Sequence, residues 1–313
     1  MANGGKKAYR VVNWGKYNES LVRRGDITLW FDQDVIDAWK HDNAETKVGR
    51  PFIYSDVAIE TLLTLRELFR LPYRQTEGFG RALANMLNVD VVIPHHTSLQ
   101  KRAAKLTIAT GARKADCPID VVVDSTGLKV YGEGEWHARK HGASKRRTWR
   151  KLHLAVNPDT HEIVAHVLTE NDRHDADQVD ALLDQTGAEI ECFHGDGAYD
   201  QRKVYNALAE RGVDVVIPPR KNAKIWRHGN ASSDPLPRDE AVRAIRRIGR
   251  KAWKKAIGYH RRSLAETAMY RMKRCFGGSL KNRKPPNQQT EVAIRCKLLN
   301  WFVALGVPAF TWS

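Results

Sequence analysis

From Pro118 onward the order of segments restricts the fold more than any other feature of the chain. Residues 119–123 are an apolar, β-branched run that ends at Asp124. Residues 149–156 alternate, with Leu152, Leu154 and Val156 opposite Lys151 and His153, the pattern of a half-buried strand. Asn157-Pro158-Asp159 is a turn signal, and residues 162–168 make a third strand, so an antiparallel meander is expected. Residues 175–183 read as a helix, and 190–193 as a strand leading to Asp196. Residues 199–210 read as a helix, and 213–217 as a strand closed by Pro218-Pro219. A polar, basic stretch with Ser232-Ser233-Asp234-Pro235 as a loop then leads to a long helix over 254–275.

That succession, β-β-β-α-β-α-β, an insertion and a last helix, is the order of an RNase H-like α/β fold. The part before it reads differently. Ser55 caps a helix whose apolar positions, among them Ile59, Leu62, Leu65 and Phe69, fall close to one face, and Pro72 stops it. A second helix fits 75–87; Pro94 resets the chain, and Thr97 caps a third over 98–109 carrying Lys101, Arg102 and Lys105. Three short helices ending in a basic one suit a helix-turn-helix-like DNA reader, and an ordinary helical bundle fits the same pattern. Residues 1–50 read as an arm anchored by Tyr9, Val11, Trp14, Tyr17 and Leu21, then Trp30 and Trp39. The expected division is a mainly helical DNA-binding domain over 1–115 and a catalytic domain over 116–313 with a basic insertion at about 218–253.

Charge narrows the partner. The chain of 313 residues has 52 Lys and Arg against 36 Asp and Glu, a net +16. Residues 201–284 alone hold 23 basic and 6 acidic side chains, and residues 139–151 hold seven basic and none acidic. Trp136 and Trp149 interleave the short cluster, Trp226 and Trp253 the long one. Basic charge alone would also suit an anionic membrane, but Lys and Arg neutralise phosphates and aromatic faces stack on unpaired bases, so a nucleic acid is the expected partner, with Arg146, Arg147, Arg150, Lys151, Trp226 and Trp253 as contacts. A solvated basic face has the same composition. No apolar run approaches the length of a membrane span, and no apolar stretch follows the N-terminus, so a cytoplasmic protein is expected. Cys117, Cys192, Cys275 and Cys296 form no C-x-x-C pair, which fits a reducing compartment. Phosphate-cradling glycine loops are absent.

Three acids stand out. Asp124 closes the first strand, Asp196 follows the fourth in His194-Gly195-Asp196-Gly197, and Glu266 is the one acidic residue between Lys251 and Lys284. If the first and fourth strands are neighbours, Asp124 and Asp196 meet at one edge and Glu266 reaches them from a crossing helix. Converging carboxylates repel unless a cation joins them, and an all-oxygen set selects Mg²⁺ or Mn²⁺. Two such ions can clamp the attacking and leaving oxygens of an in-line phosphoryl displacement. On the long helix Tyr259, Arg262, Glu266 and Lys273 follow Y-x2-R-x3-E-x6-K and are expected on one face. His137 and His141 are spaced as in a zinc helix but have no third ligand near them.

With these residues the chain resembles bacterial DDE transposases of the insertion-sequence-four/five superfamily, most closely the insertion-sequence-five family. Glu266 and its partners fit that family's Y-R-E-K signature without a gap. Asp124-Ser125-Thr126-Gly127-Leu128-Lys129 resembles the first-Asp motif, and Asp196-Gly197-Ala198-Tyr199-Asp200 the second. Trp149-Arg150-Lys151-Leu152-His153 is also typical, and a weaker likeness runs through Arg74-Gln75-Thr76-Glu77-Gly78. The resemblance implies binding of terminal inverted repeats, metal-dependent nicking and strand transfer into target DNA by a homo-oligomer on paired ends. It also implies that Tyr259, Arg262 and Lys273 hold the double-stranded DNA of the transposon end. A metal-dependent nuclease on the same fold and a DNA-binding regulator derived from a transposase are the competing functions.

Overall fold

The structure, a computed structural model, describes residues 9–43, 51–130, 149–227 and 236–312. Arg146, Arg147, Trp136, His137 and His141 lie outside them. The chain divides into two units, residues 109–296 and the remainder, so 297–313 joins the N-terminal part rather than the segment it follows.

In the first unit β1 (Tyr9–Val11) pairs antiparallel with the C-terminal strand Phe310–Trp312. Asn13 reinforces the join, its amide donating to the Val307 carbonyl and accepting from the Ala309 N–H. Helices α1 (Trp14–Arg23) and α2 (Gln33–Asp37) follow. Of the expected aromatic anchors, Trp39 is buried with its indole N–H on the Val92 carbonyl, Trp30 stacks on Trp301, and Trp14 is exposed.

Helices α3 (Asp56–Leu68), α4 (Tyr73–Met86) and α5 (His96–Ala103) form the centre of this unit, with Ile59, Leu62, Leu65 and Leu99 fully buried. Ser55 caps α3 as expected, accepting from the Ala58 N–H. The helix ends before Pro72, where Arg70 turns to a positive φ of 54°, and Pro72 instead starts α4. Helix α5 is shorter than the 98–109 expected, and its cap is the His95 ring, which accepts from the Thr97 N–H; Lys105 lies beyond its end. Lys101 and Lys105 are exposed. Arg102 is tied internally, donating to the Tyr54 carbonyl and to Asp56 with its guanidinium over the Phe52 ring.

The second unit is a mixed α/β structure around one sheet. Its strands are β2 (Ile119–Val130), β3 (Trp149–Val156), β4 (Ile163–Glu170), β5 (Ile190–His194), β6 (Asp214–Val216) and β7 (Ser279–Leu280). The order is β4-β3-β2-β5-β6, with β7 against the far end of β2. The first three strands are the expected antiparallel meander, and β5 and β6 run parallel to β2. Helices α6 (Val179–Gln185) and α7 (Arg202–Glu210) contribute to one core with Val121, Val123, Ala155, Phe193 and Ile217. Alternation sends Val122, Leu152, Leu154 and Val156 to the other face, which explains why β3 is buried on both faces from Leu152 to Val156.

Beyond β6 come α8 (Pro237–Ile248), α9 (Arg250–Ala256) and α10 (Ser263–Phe276), the last packed on β2 and β3. The single long helix expected over 254–275 is broken. Gly258 takes a left-handed φ of 64°, and a 3₁₀ turn over Tyr259–Arg262 separates α9 from α10. A left-handed residue interrupts α-helical hydrogen bonding, and glycine adopts it without a steric penalty. Helix α11 (Pro285–Leu305) carries the chain from the second unit back into the first. Among the described residues no helix is long and apolar enough to cross a membrane.

Candidate active site

Two of the three acids are placed by the sheet and the third by α10. The parallel register pairs Val122 with His194, so Asp124 and Asp196 each lie two residues past that pair, Asp124 still in β2 and Asp196 beyond the end of β5. Asp124 does not close its strand as expected. Pairing with β3 continues from Asp124↔Leu154 to Lys129↔Trp149, while pairing with β5 stops at Val122. Asp124 therefore sits where β5 leaves the sheet and opens a notch beside β2. One of its oxygens accepts from the Ser125 N–H at 2.8 Å.

Asp196 caps the 3₁₀ turn Gly197–Tyr199, accepting from the Ala198 N–H at 2.7 Å. Gly195 before it is squeezed between rings: a Cβ there would lie 2.9 Å from Tyr199 and 3.0 Å from Phe193. Both rings are buried, so neither can yield. Gly195→Ala should cost about 1–3 kcal/mol by overpacking and shift Asp196 with it. Urea unfolding checks this, and an unchanged midpoint would show that the rings have room.

Glu266 is exposed in the first turn of α10, joined to Asp124 through Arg262. That guanidinium donates to Asp124 Oδ2 at 3.0 Å with one nitrogen and to Glu266 Oε1 with another. Burial raises the Asp124 carboxyl above its ordinary range; the Ser125 N–H and Arg262 oppose the rise, and the charges of Asp196 and Glu266 add to it. The three acids thus share one electrostatic site. Lys273 Nζ donates to Thr126 Oγ1 at 2.5 Å, fastening α10 to β2 one residue beyond Ser125. Tyr259 is half-buried near the acids, its phenol pushed up by burial, with Lys254 Nζ 4.4 Å from its ring. Tyr259 and Arg262 lie on a 3₁₀ turn and Glu266 and Lys273 on α10, so the four do not share the single helix face expected.

Several neighbours of the acids escape sequence reasoning. Arg261 donates to Asp120 on β2 and to Asp159 after β3, pinning the 3₁₀ turn to the sheet. Behind Asp124, burial would raise Asp175, but hydrogen bonds from His153, Ser125 and Lys151, with the Lys151 charge, hold it well below the usual carboxylate range. Asp200 is buried against Arg238 at 2.6 Å and accepts from the Arg220 N–H. Its place in Asp-Gly-Ala-Tyr-Asp was the available signal.

The expected DNA contacts divide. Lys151 is paired with Asp175, and Arg150 with Glu170 and Gln288. Trp253 is buried in the core. The Trp226 ring has Arg238 at 3.8 Å and Arg202 at 5.1 Å over it and Tyr205 against it, so it is a wall rather than a free stacking platform. It lines a cavity of about 590 Å³ with His174, Arg220, Lys224 and Arg238.

Arg262 bridges Asp124 and Glu266, and Asp196 joins them through its charge, so the three carboxylates form an oxygen-only donor set of the kind that suits a hard divalent cation. Among the described residues two groups of donor side chains lie close enough to share one ion; neither includes the three acids, and both are already paired. Glu77 is paired with Arg81 and His96, near His95. Asp120 lies beside Cys192 and His194 but holds Arg261; burial, with Asp120 adjoining, pushes the Cys192 thiol up to about 12.

Models of the transposase DDE domain match residues 22–133 and residues 116–301, the second being more than half of the chain. The chain belongs to the transposase DDE-domain family. Solved structures with some likeness to this transposase include a piggyBac transposase synaptic complex with hairpin DNA, at 10% identity over 91% of this chain and 74% of that one, TM-score 0.37. A Drosophila P element transposase strand transfer complex is 10% identical over 88% and 70%, TM-score 0.32. The Mos1 mariner paired end complex with Mn is 14% identical over 85% and 88%, TM-score 0.22.

Proposed function

We propose that this transposase is of the insertion-sequence-five type, binds the terminal inverted repeats of its element, and cleaves and joins DNA strands at Asp124, Asp196 and Glu266. The pairing of Asp124 and Glu266 through Arg262, with Asp196 near enough for its charge to act on Asp124, carries the reading. The strand order, an antiparallel meander followed by two parallel strands, supports an RNase H-like core. Asp124, Asp196 and Glu266 would hold two divalent cations, which supply charge neutralisation at the attacked phosphodiester and at the attacking and leaving oxygens.

The protein's own groups do the positioning. The Ser125 N–H and the Asp175 network set the Asp124 end of the site. Tyr259, Arg262 and Lys273 are the groups we assign to the transposon-end strand; Lys273 is held on Thr126, two residues past Asp124 on β2. Exposed Lys101 and Lys105 in the first unit are assigned to sequence recognition, and the second unit to phosphate contacts that are blind to sequence.

The test is a donor plasmid carrying the DNA that flanks the reading frame, incubated with full-length protein and Mg²⁺. The reading requires nicks at the element ends and joined products in a second plasmid. Nicking scattered over the plasmid without joining would mean a nuclease instead. Binding to the end duplex should fall steeply with salt, log K dropping roughly 0.9 per phosphate neutralised for each unit of log[salt]. A flat response would remove the basic 201–284 segment from the DNA surface.

A further inference from the structure

We propose that Arg262 is an exchangeable counter-cation: without metal its guanidinium holds Asp124 and Glu266 together, and metal entering between them releases it to a DNA phosphate. This rests on the assignment of the three acids as a metal centre.

The oxygen bookkeeping points there first. Asp124 Oδ1 is spent on the Ser125 N–H, so Oδ2 is the oxygen facing the shared site, and Oδ2 carries Arg262. Glu266 Oε1 carries the other arm of the same fork. A divalent cation held by both acids would lie in the space between them that the guanidinium now fills. Metal and Arg262 are therefore competitors for one place.

The backbone is arranged so that the exchange leaves the turn intact. Arg261, the preceding residue, holds the 3₁₀ turn through Asp120 and Asp159, and Lys273 holds α10 through Thr126. Neither anchor uses Arg262. Its side chain can swing away while Tyr259, Glu266 and the sheet stay in register. A freed guanidinium at the edge of the site is a planar two-pronged donor suited to a phosphodiester. A phosphate that draws Arg262 off the acids makes room for metal, and metal that displaces Arg262 offers it to the phosphate. Linkage makes this coupling reciprocal, so DNA and metal should each tighten binding of the other.

The test uses full-length protein with Mn²⁺ alone as the probe, free Mn²⁺ being followed by its paramagnetic resonance signal. Without DNA, Arg262→Met should bind Mn²⁺ about tenfold more tightly than the wild type, within the usual range of coupling between sites. Arg262→Lys keeps the charge but cannot fork, and should fall between them. A short duplex should tighten Mn²⁺ binding at least fivefold in the wild type and clearly less in Arg262→Met. Thermal unfolding gives a second reading: Mn²⁺ should raise the midpoint more in Arg262→Met than in the wild type. If Asp124→Asn loses Mn²⁺ binding while Arg262→Met binds no more tightly than the wild type, the exchange is wrong and the metal centre stands. If Asp124→Asn binds Mn²⁺ as the wild type does, the metal centre itself is misplaced and the exchange falls with it.

Discussion

Replacing Asp124, Asp196 or Glu266 by its amide should each lower Mg²⁺-dependent strand cleavage by about 10³-fold or more, with binding to the end duplex retained. The amide keeps shape and removes the charge that holds a divalent cation, and a loss of about 4 kcal/mol of transition-state stabilisation corresponds to that factor. Glu266 is exposed, so Glu266→Gln leaves packing untouched. Asp196→Asn keeps an oxygen that can accept from the Ala198 N–H, and the 3₁₀ turn should persist. Asp124→Asn keeps an acceptor for Ser125 but loses the charged half of its pairing with Arg262. The DNA-binding surfaces elsewhere are unaffected in all three. Nicking of a supercoiled donor, read beside a gel shift in the same buffer, checks the prediction. Cleavage surviving in one variant would take that residue out of the site.

Much of this geometry was legible before any coordinates. The hydrophobic runs suggest a sheet in which the first and fourth strands can be neighbours, with Asp124 directly after the first run and Asp196 three residues after the fourth. What was hidden is how far β2 runs. The apolar run ends at Asp124, yet Ser125, Thr126 and Gly127 are still strand because β3 offers them His153, Leu152 and Lys151 as partners across the sheet. Gly127 is tolerated there since a Cβ would press on the Trp149 ring at 3.1 Å. Tertiary pairing overrode local propensity.

The same limit explains the tryptophans. Trp226 and Trp253 lie among basic residues in the sequence, which suggested stacking on bases. Charge along a chain says nothing about which side chain faces inward. Arg238, counted among the basic cluster, is itself buried against Asp200 and lies over Trp226. The break at Gly258 was similarly invisible, because a seven-residue spacing from Tyr259 to Glu266 fits a continuous helix as well as a turn followed by one. The assignment of 297–313 to the first unit depends on contacts such as Lys297 with Glu60 and Trp301 with Trp30, separated by hundreds of residues. No local pattern encodes them.

The largest effect on stability should come from a pair far from the acids in sequence. Arg295 and Glu291 are both fully buried and bonded to each other one turn apart in α11. Glu291 also accepts from the Lys281 N–H, the Asn282 N–H and the Asn282 amide, while Arg295 donates to the Ser279 carbonyl. The pair thereby holds the segment of β7, which extends β2 at Lys129↔Ser279 and Val130↔Leu280. Arg295→Met should cost about 3–5 kcal/mol, because the carboxylate keeps its burial and loses its counter-charge. Adding Glu291→Gln should recover a good part of that loss. The glutamine oxygen can still accept from Lys281 and Asn282, and no buried charge remains to be compensated. Urea unfolding of the wild type, both single variants and the double variant gives the coupling directly. An Arg295→Met protein as stable as the wild type would show that water or a neighbouring cation reaches Glu291. In that case β7 would be held by its two-residue ladder on β2 rather than by the buried pair.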